Sequence, residues 1–583
     1  MPGRTVHLAS VCLVDEPGRD RGLRALEALE AACEAQARDL VVLPYMPFIS
    51  CHEDDGPAPE RFRKLARKHE TYLALAAQEH TPRGDYATAW LIDRKGEVVG
   101  RYRKTHAFPD DEAPSDDDPL IPQTDSRLLG DELPVFETDF GLVGASITTD
   151  LYFPEVYEVL RMKGAEVLLW HDYPERFRDY SGHEVLLSAR AFDSHAHLIG
   201  AMYADPRAYI ANRYTLGMQG AAWGRSMIVN RVGAAIADTG HFPGVASATV
   251  DLDQRKQDPY DPWVQSEGKF FVNCLGDRTA FHPVAEPWQP PNLPAYTKRK
   301  ARMAVLYLWD HNMWQTGKRP DKMLELLDKA AAMQPDLILV SENSAQVDDE
   351  VGQTALAAVA ERARNMGAYI VVGGLRDENH LSIVYVWNRQ GEVIFQQPIY
   401  WTKGFPELNV FDTDFARIGT HECGDLYTPM IDRTLVLKGA EIILDPSQMW
   451  GADGRSNEQL LRARALDNGV WVACAHWNSS DPGLRSLIID PYGQVMASSV
   501  FQQEGILHVD IDFDDRRVYY AGRKAQQPTR GESDIASYFT EDLPEQKPGW
   551  RAMVLGRRRP ELYSTIPAEN DVTRKYRPDK GPS

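Results

Sequence analysis

The chain repeats itself. Residues 140–170, FGLVGASITTDLYFPEVYEVLRMKGAEVLLW, resemble residues 415–445, FARIGTHECGDLYTPMIDRTLVLKGAEIILD. Both carry a D-L-Y-x-P core and then K-G-A-E before an apolar run. Other pairs follow in the same order: RDLVVLPY (38–45) with PDLILVSE (335–342), ATAWLIDRKGEVVG (87–100) with LSIVYVWNRQGEVIF (381–395), LLSARAFDSHAHLIGA (186–201) with LLRARALDNGVWVACA (460–475), and GRSMIVNRVGAAIAD (224–238) with LRSLIIDPYGQVMAS (484–498). With the opening strands (5–14 and 301–310), six matches run in one order, which chance does not arrange. The chain therefore reads as two copies of one domain. The join is PVAEPWQPPNLPAY (283–296), with five prolines in fourteen residues and no helical or strand period. It predicts a stiff, extended linker. The N-terminal copy spans 1–284 and the C-terminal copy 297–583.

Within each copy, short β-branched runs alternate with amphipathic helices. VHLASVCLV is followed by GLRALEALEAACEAQA, whose leucines and alanines recur at helical spacing. LVVLP predicts a strand buried on both faces. EVYEVLRMKGAEVLLW predicts a helix, a glycine stop and a strand. TAWLID and GEVVGRY predict neighbouring antiparallel strands turning at Arg94-Lys95-Gly96. The sum is an α/β layered fold, with sheets covered by helices. From about residue 520 the chain is rich in Arg, Pro and Gly, which predicts an irregular tail packed over the fold.

Charge narrows the partners. Lys and Arg number 64 against 85 Asp and Glu, a net charge of −21 in 583 residues. Such an acidic surface repels nucleic acid and anionic lipid. No apolar run reaches the ~18 residues of a membrane span. The N-terminus lacks the apolar core and cleavage site of a signal peptide. The six cysteines (Cys12, Cys33, Cys51, Cys274, Cys423 and Cys474) form no CxxC pair. That speaks against a disulfide framework or a zinc knuckle and for a reducing, cytoplasmic location. The histidines, among them His171, His195, His197, His311, His421 and His476, do not recur at i, i+4 with a carboxylate, so no metal site is expected. VVGGLRD (371–377) lacks the G-K-S/T of a phosphate loop.

Three residues of the C-terminal copy carry potential chemistry: Glu342 ending LILVSE, Lys403 in IYWTKGF and Cys423 in HECGDLYTP. A strand-end Glu, a Lys after a G-E-V hairpin and a Cys in C-x-D-x-x-x-P resemble, in combination, the nitrilase (carbon–nitrogen hydrolase) superfamily, in two copies covering nearly the whole chain. The resemblance implies two tandem α-β-β-α sandwich domains and no metal or organic cofactor. It implies a hydrolase cleaving a non-peptide C–N bond of a small amide, carbamoyl compound or nitrile. Cys423 would be the nucleophile, Glu342 the base that takes the thiol proton and later activates water, and Lys403 the stabiliser of the oxyanion. Glu407, four residues after Lys403, is a candidate for the additional Glu of such sites.

Each assignment has a plainer reading. Most cysteines are small core hydrophobes, a carboxylate after a strand often caps the next helix, and most lysines are solvated. The spacing of Lys403 also departs from the repeat. Lys104 lies 8 residues after Gly96 and 44 before Thr148, whereas Lys403 lies 12 after Gly391 and 20 before Cys423. The N-terminal copy keeps Lys104 and Glu112 but has Tyr45 in place of the strand-end Glu and Thr148 in place of the Cys. Neither is an adequate replacement, which predicts a degenerate copy kept as a built-in partner, an intrachain pseudo-dimer open to further homo-oligomer assembly. A pseudoenzyme acting as a binding scaffold and an amide-forming acyltransferase are the competing functions.

Overall fold

The computed structural model of the chain describes residues 4–14, 21–35, 38–52, 60–107, 128–173, 181–204, 224–253, 278–309, 320–342, 344, 350–376, 382–400, 407–448, 454–477, 485–500, 503–514, 517–518, 541–542 and 550–568. Lys403, Glu112 and most of the tail after 520 lie outside them. The chain divides into two compact units.

In the first unit, Leu40, Val41, Val42 and Leu43 are fully buried. They open strand Leu40–His52, which runs parallel to Thr5–Val14 on one side and Tyr72–Thr81 on the other. Gly84–Ile92 and Val98–Arg103 then continue the sheet antiparallel. The turn between them uses Gly96 at φ +77°, where a Cβ would lie 2.6 Å from the Arg63 carbonyl oxygen. Only glycine suits that place. A second sheet is ordered Val135–Glu137, Leu142–Ile147, Val167–His171, His197–Ala201, Met227–Val229, Ala235–Asp238. Helix Pro154–Met162 leaves it, opening on Pro154 and ending before Gly164 at φ +90°.

The second unit repeats the plan. Its first sheet is ordered Val393–Pro398, Ser382–Trp387, Tyr369–Arg376, Leu337–Val340, Lys300–Tyr307, Gly505–Asp512. Alternate residues divide between two cores, as the strand period of two demands. Met303, Val305, Leu337, Leu339 and Val371 pack against Ile418, Ile442, Leu444 and Ala473 of the second sheet. Ala304, Leu306, Ile338, Val340 and Val372 pack against Met323, Leu327, Val359 and Ala363 on helices Pro320–Ala330 and Glu350–Met366. Helix Gly454–Asn468 packs on the second sheet through strand Trp471–His476. This is an α-β-β-α sandwich.

Units and sequence repeats differ at their ends. Arg557–Thr565, from the end of the chain, belong to the first unit, and Thr279–Ala285 to the second. In the first unit Arg558 Nε donates to Glu155 Oε1 at 2.6 Å, both side chains being buried. Arg559 donates to the carbonyls of Thr105 and Gly130, and the Tyr563 ring stacks on His106. In the second unit Phe281 lies 5.4 Å from the Tyr400 ring. Residues 287–299 form neither helix nor strand, as their prolines require. No helix among the described residues is long and apolar enough to cross a membrane.

Candidate active site

Strand Arg417–Thr420 runs through His421 and Glu422 into the single turn Cys423–Tyr427. At the turn Cys423 takes a left-handed backbone, φ +52°, and Thr148 does the same in the first unit at φ +46°. For a residue with a Cβ this costs ~1–2 kcal/mol, so something must hold it. The D-L-Y-x-P aspartate does. Asp425 accepts the Glu422 N–H at 3.2 Å and the Tyr400 N–H at 3.1 Å. Asp150 likewise accepts the N–H groups of Ile147 at 2.9 Å and His106 at 3.0 Å, with the Tyr102 hydroxyl at 2.6 Å. The proline then opens the following helix, Pro154 in one unit and Pro429 in the other. The shared motif thus builds the elbow, and the residue placed on it is what differs.

Cys423 is partly exposed and its N–H donates to Asp445 Oδ1 at 3.1 Å. The charge of the Glu342 carboxylate acts on its thiol. Burial, and then the Glu342 charge, push the thiol well above its usual range, so it is protonated at neutral pH. Glu342 sits just past strand Leu337–Val340 and is 8% exposed. The Trp477 indole N–H donates to its carbonyl, which ties the strand end in place. The structure therefore brings two of the sequence candidates together.

It also brings in a residue that sequence reading missed. Glu422 is fully buried beside Cys423. Its Oε1 accepts the Ser382 hydroxyl. Burial, and then the charge of Glu342, hold its proton well above the usual carboxylate range. Its Oε2 is buried with no hydrogen-bond partner among the described residues. The first unit has Ile147 at this place, so an apolar-to-acidic change next to the elbow was the available signal.

The lysine position follows from the hairpin register. Lys104 N–H donates to the Ala87 carbonyl, and Ile399 N–H to the Ser382 carbonyl, each one step beyond matched strand pairs. Ile399, 8 residues after Gly391, thus occupies the register of Lys104. The spacing discrepancy has a single origin. Lys163 Nζ donates to the Leu133 carbonyl, and Lys438 Nζ to the Leu408 carbonyl, both at 2.6 Å. Lys104 and Leu133 are 29 residues apart, whereas Ile399 and Leu408 are 9 apart. A segment shorter by 20 residues accounts for the whole difference. Glu407 then matches Glu132; its side chain is 73% exposed and pairs with Lys438 at 3.1 Å. No contact joins Glu407 to Cys423 or Glu342 among the described residues.

In the first unit Lys104, Tyr45 and Thr148 are all buried. Thr148 Oγ1 has no hydrogen-bond partner among the described residues, while its carbonyl accepts the Trp170 indole N–H at 2.9 Å.

Behind Cys423 lies a buried charged network. His421 Nδ1 is 2.6 Å from Asp432 Oδ1 and its Nε2 is 3.6 Å from Asp445 Oδ1. Arg464 Nε is 3.4 Å from Asp432 Oδ2. The first unit has a neutral pair here, Ser146 Oγ and Tyr157 Oη at 2.7 Å. Burial opposes a charged imidazole, but Asp432 and Asp445 outweigh it and raise His421 well above 6.5. A raised folded-state pKa stabilises fully below the unfolded value of about 6.5 and is lost as pH rises through the folded one. The urea midpoint of the second unit is therefore expected to fall as pH rises from 7 to 10. The double variant His421→Ser/Asp432→Tyr, which recreates the neutral pair, should flatten that slope. An unchanged slope would show that His421 does not titrate as argued.

Comparison with known proteins adds to this geometry. The sequence model of the family described as carbon-nitrogen hydrolase matches twice, over residues 21–260 and 310–521. A deaminated glutathione amidase of Synechocystis sp. is 29% identical over 267 residues, covering 43% of this chain and 93% of the relative. The deaminated glutathione amidase of Homo sapiens is 32% identical over 215 residues, covering 35% and 60%. Among solved structures, Saccharomyces cerevisiae Nit3, of the nitrilase superfamily, covers 43% of this chain and 93% of its own at 21% identity and a TM-score of 0.35. An amidase from Nesterenkonia sp. covers 44% and 94% at 18% identity and a TM-score of 0.34.

Proposed function

Because the chain belongs to the carbon–nitrogen hydrolase family in both of its copies, we propose that its second unit hydrolyses a small non-peptide C–N substrate through a covalent Cys423 intermediate. The observation that carries this reading is a thiol presented on a strained elbow, with the buried Glu342 carboxylate close enough for its charge to act on it. Strain of this kind recurs where a nucleophile must be presented. Glu342 takes the thiol proton as sulfur attacks carbon. The departing nitrogen leaves with that proton, as ammonia or an amine. Glu342 then takes a proton from water, whose oxygen displaces sulfur, and the thiol is restored. Lys403 and Glu407 carry no step in this scheme. The first unit has Thr148, not a thiol, on its elbow.

A scaffold without activity is the second reading, and Ile399 in the register of Lys104 is what favours it. Thiol reactivity separates the two. In the enzyme, iodoacetamide at neutral pH should alkylate Cys423 faster than Cys33, whose thiol burial pushes up to about 11. Glu342→Gln should slow Cys423 by about tenfold, the usual weight of a positioned base being ~10²–10⁴ in a tuned reaction. Because the thiol starts protonated, the Cys423 rate should still climb above pH 8. Labelling of Cys423 no faster than Cys33 would leave the scaffold reading standing.

A further inference from the structure

At two described positions of this site the charge differs from that of the sister copy. Where the first unit has Lys104 and Ile147, the second has Ile399 and Glu422. A lysine is exchanged for an aliphatic side chain, and an aliphatic side chain for a buried acid. The charge of Glu342 acts both on the Glu422 carboxyl and on the Cys423 thiol. The Ser382 hydroxyl fastens Glu422 by a hydrogen bond, so its position is built, and its buried Oε2 lacks a partner among the described residues. Buried acids in such a pair are costly without a counter-charge. Among the described residues this site has no cation in the register of Lys104 and holds a buried acid oxygen without a partner, which suits a substrate that brings the cation itself.

We infer that the second unit acts on amidinium or guanidinium carbons, with Glu342 and Glu422 accepting the N–H groups of the substrate and Cys423 attacking its central carbon. This rests on the reading of Cys423 as nucleophile. A planar N–H fork meets carboxylates in short, charge-assisted bonds. The positive charge also makes the carbon electrophilic, so a neutral tetrahedral adduct forms and no oxyanion needs a lysine. The balance closes. Sulfur bonds to carbon as the thiol proton passes to Glu342. The C–N bond breaks and ammonia leaves with that proton, giving an S-linked amidinium. Water adds to the same carbon, the C–S bond breaks, and the thiol regains a proton. For a guanidinium substrate the net change is R–NH–C(NH₂)₂⁺ + H₂O → R–NH–CO–NH₂ + NH₄⁺. No oxidant, metal or cofactor enters.

A matched pair of alkylating agents tests it on the full chain. 2-Chloroacetamidine is cationic and 2-chloroacetamide is its neutral counterpart. Rates at Cys423 are read by mass spectrometry of its peptide and normalised to the rates of glutathione with each reagent. The normalised preference for the amidine should be about tenfold or more, the weight of one charged hydrogen bond. In Glu422→Gln, which keeps the shape and removes the acid, the preference should fall below about threefold. In the unmodified chain, methylguanidinium should protect Cys423 and urea at the same concentration should not, a comparison that needs no variant. Equal or greater reactivity toward the neutral reagent, an unchanged preference in Glu422→Gln, or equal protection by urea would each overturn the inference and leave the Cys423 hydrolase intact. If neither reagent labels Cys423 faster than Cys33, the hydrolase reading itself falls.

Discussion

Cys423→Ala is expected to remove hydrolysis almost entirely, by at least about 10⁴-fold in kcat, because no other group on the elbow can form the covalent intermediate. Ammonia release from a panel of short primary amides and alkylguanidines measures it. The loss should be chemical and not structural. Alanine at φ +52° meets the same backbone strain as cysteine, and Asp425 still fastens the turn through Glu422 and Tyr400. The urea midpoint of the variant should therefore stay within about 1 kcal/mol of the parent, the usual scale for a small side-chain change. Thr148→Ala on the sister elbow should leave ammonia release unchanged. Its hydroxyl is buried, without a hydrogen-bond partner among the described residues, and it follows Ile147, not an acid. Retention of more than about 1% activity in Cys423→Ala would place the chemistry elsewhere.

The layered fold was legible because its signals are local or repeated. The 0% exposure of Leu40–Leu43, the Gly96 turn and the Gly164 stop follow from apolar runs and glycine spacing. Cys423 and Glu342 were legible because each sits at a strand end that recurs in the sister copy. Ile399 was legible only in part: the sequence shows that Lys403 departs from the repeat spacing, but not which residue takes the register of Lys104. The cause was a segment shortened by 20 residues, and the bonds from Lys163 Nζ to the Leu133 carbonyl and from Lys438 Nζ to the Leu408 carbonyl locate that shortening. Glu407 was read from its spacing to Lys403, and in the structure its side chain pairs with Lys438 at 3.1 Å. Glu422 was hidden for a different reason. A glutamate in a sequence is exposed by default, and its burial depends on Ser382, 40 residues away in the chain. The His421–Asp432 pair, 11 residues apart across a turn and a helix, is tertiary in the same way.

The tail offers the largest expected effect on stability. Arg558 and Glu155 form an ion pair whose side chains are 1% and 0% exposed, at the first turn of helix Pro154–Met162. Removing one partner of a buried pair leaves the other charged and desolvated, which costs about 3–5 kcal/mol. Arg558→Ala should therefore lower the melting temperature of the first unit by roughly 10 °C, at ~2–4 °C per kcal/mol for a domain of this size. Arg558→Lys keeps a charge but loses the planar donor, and should fall between the two. Because Arg558 and Glu155 both belong to the first unit, the loss should appear in its transition alone, and Cys423 alkylation in the second unit should keep its rate at 25 °C. Helix Pro154–Met162 follows directly from the turn that carries Thr148. Replacing Arg558, Arg559 and Tyr563 together by Ala should reproduce the Arg558→Ala loss and add that of the Tyr563–His106 stack and the Arg559 bonds to Thr105 and Gly130. A melting curve of Arg558→Ala that overlays the parent would mean the tail rests on the first unit without stabilising it. The ion pair would then offset its own desolvation and nothing more.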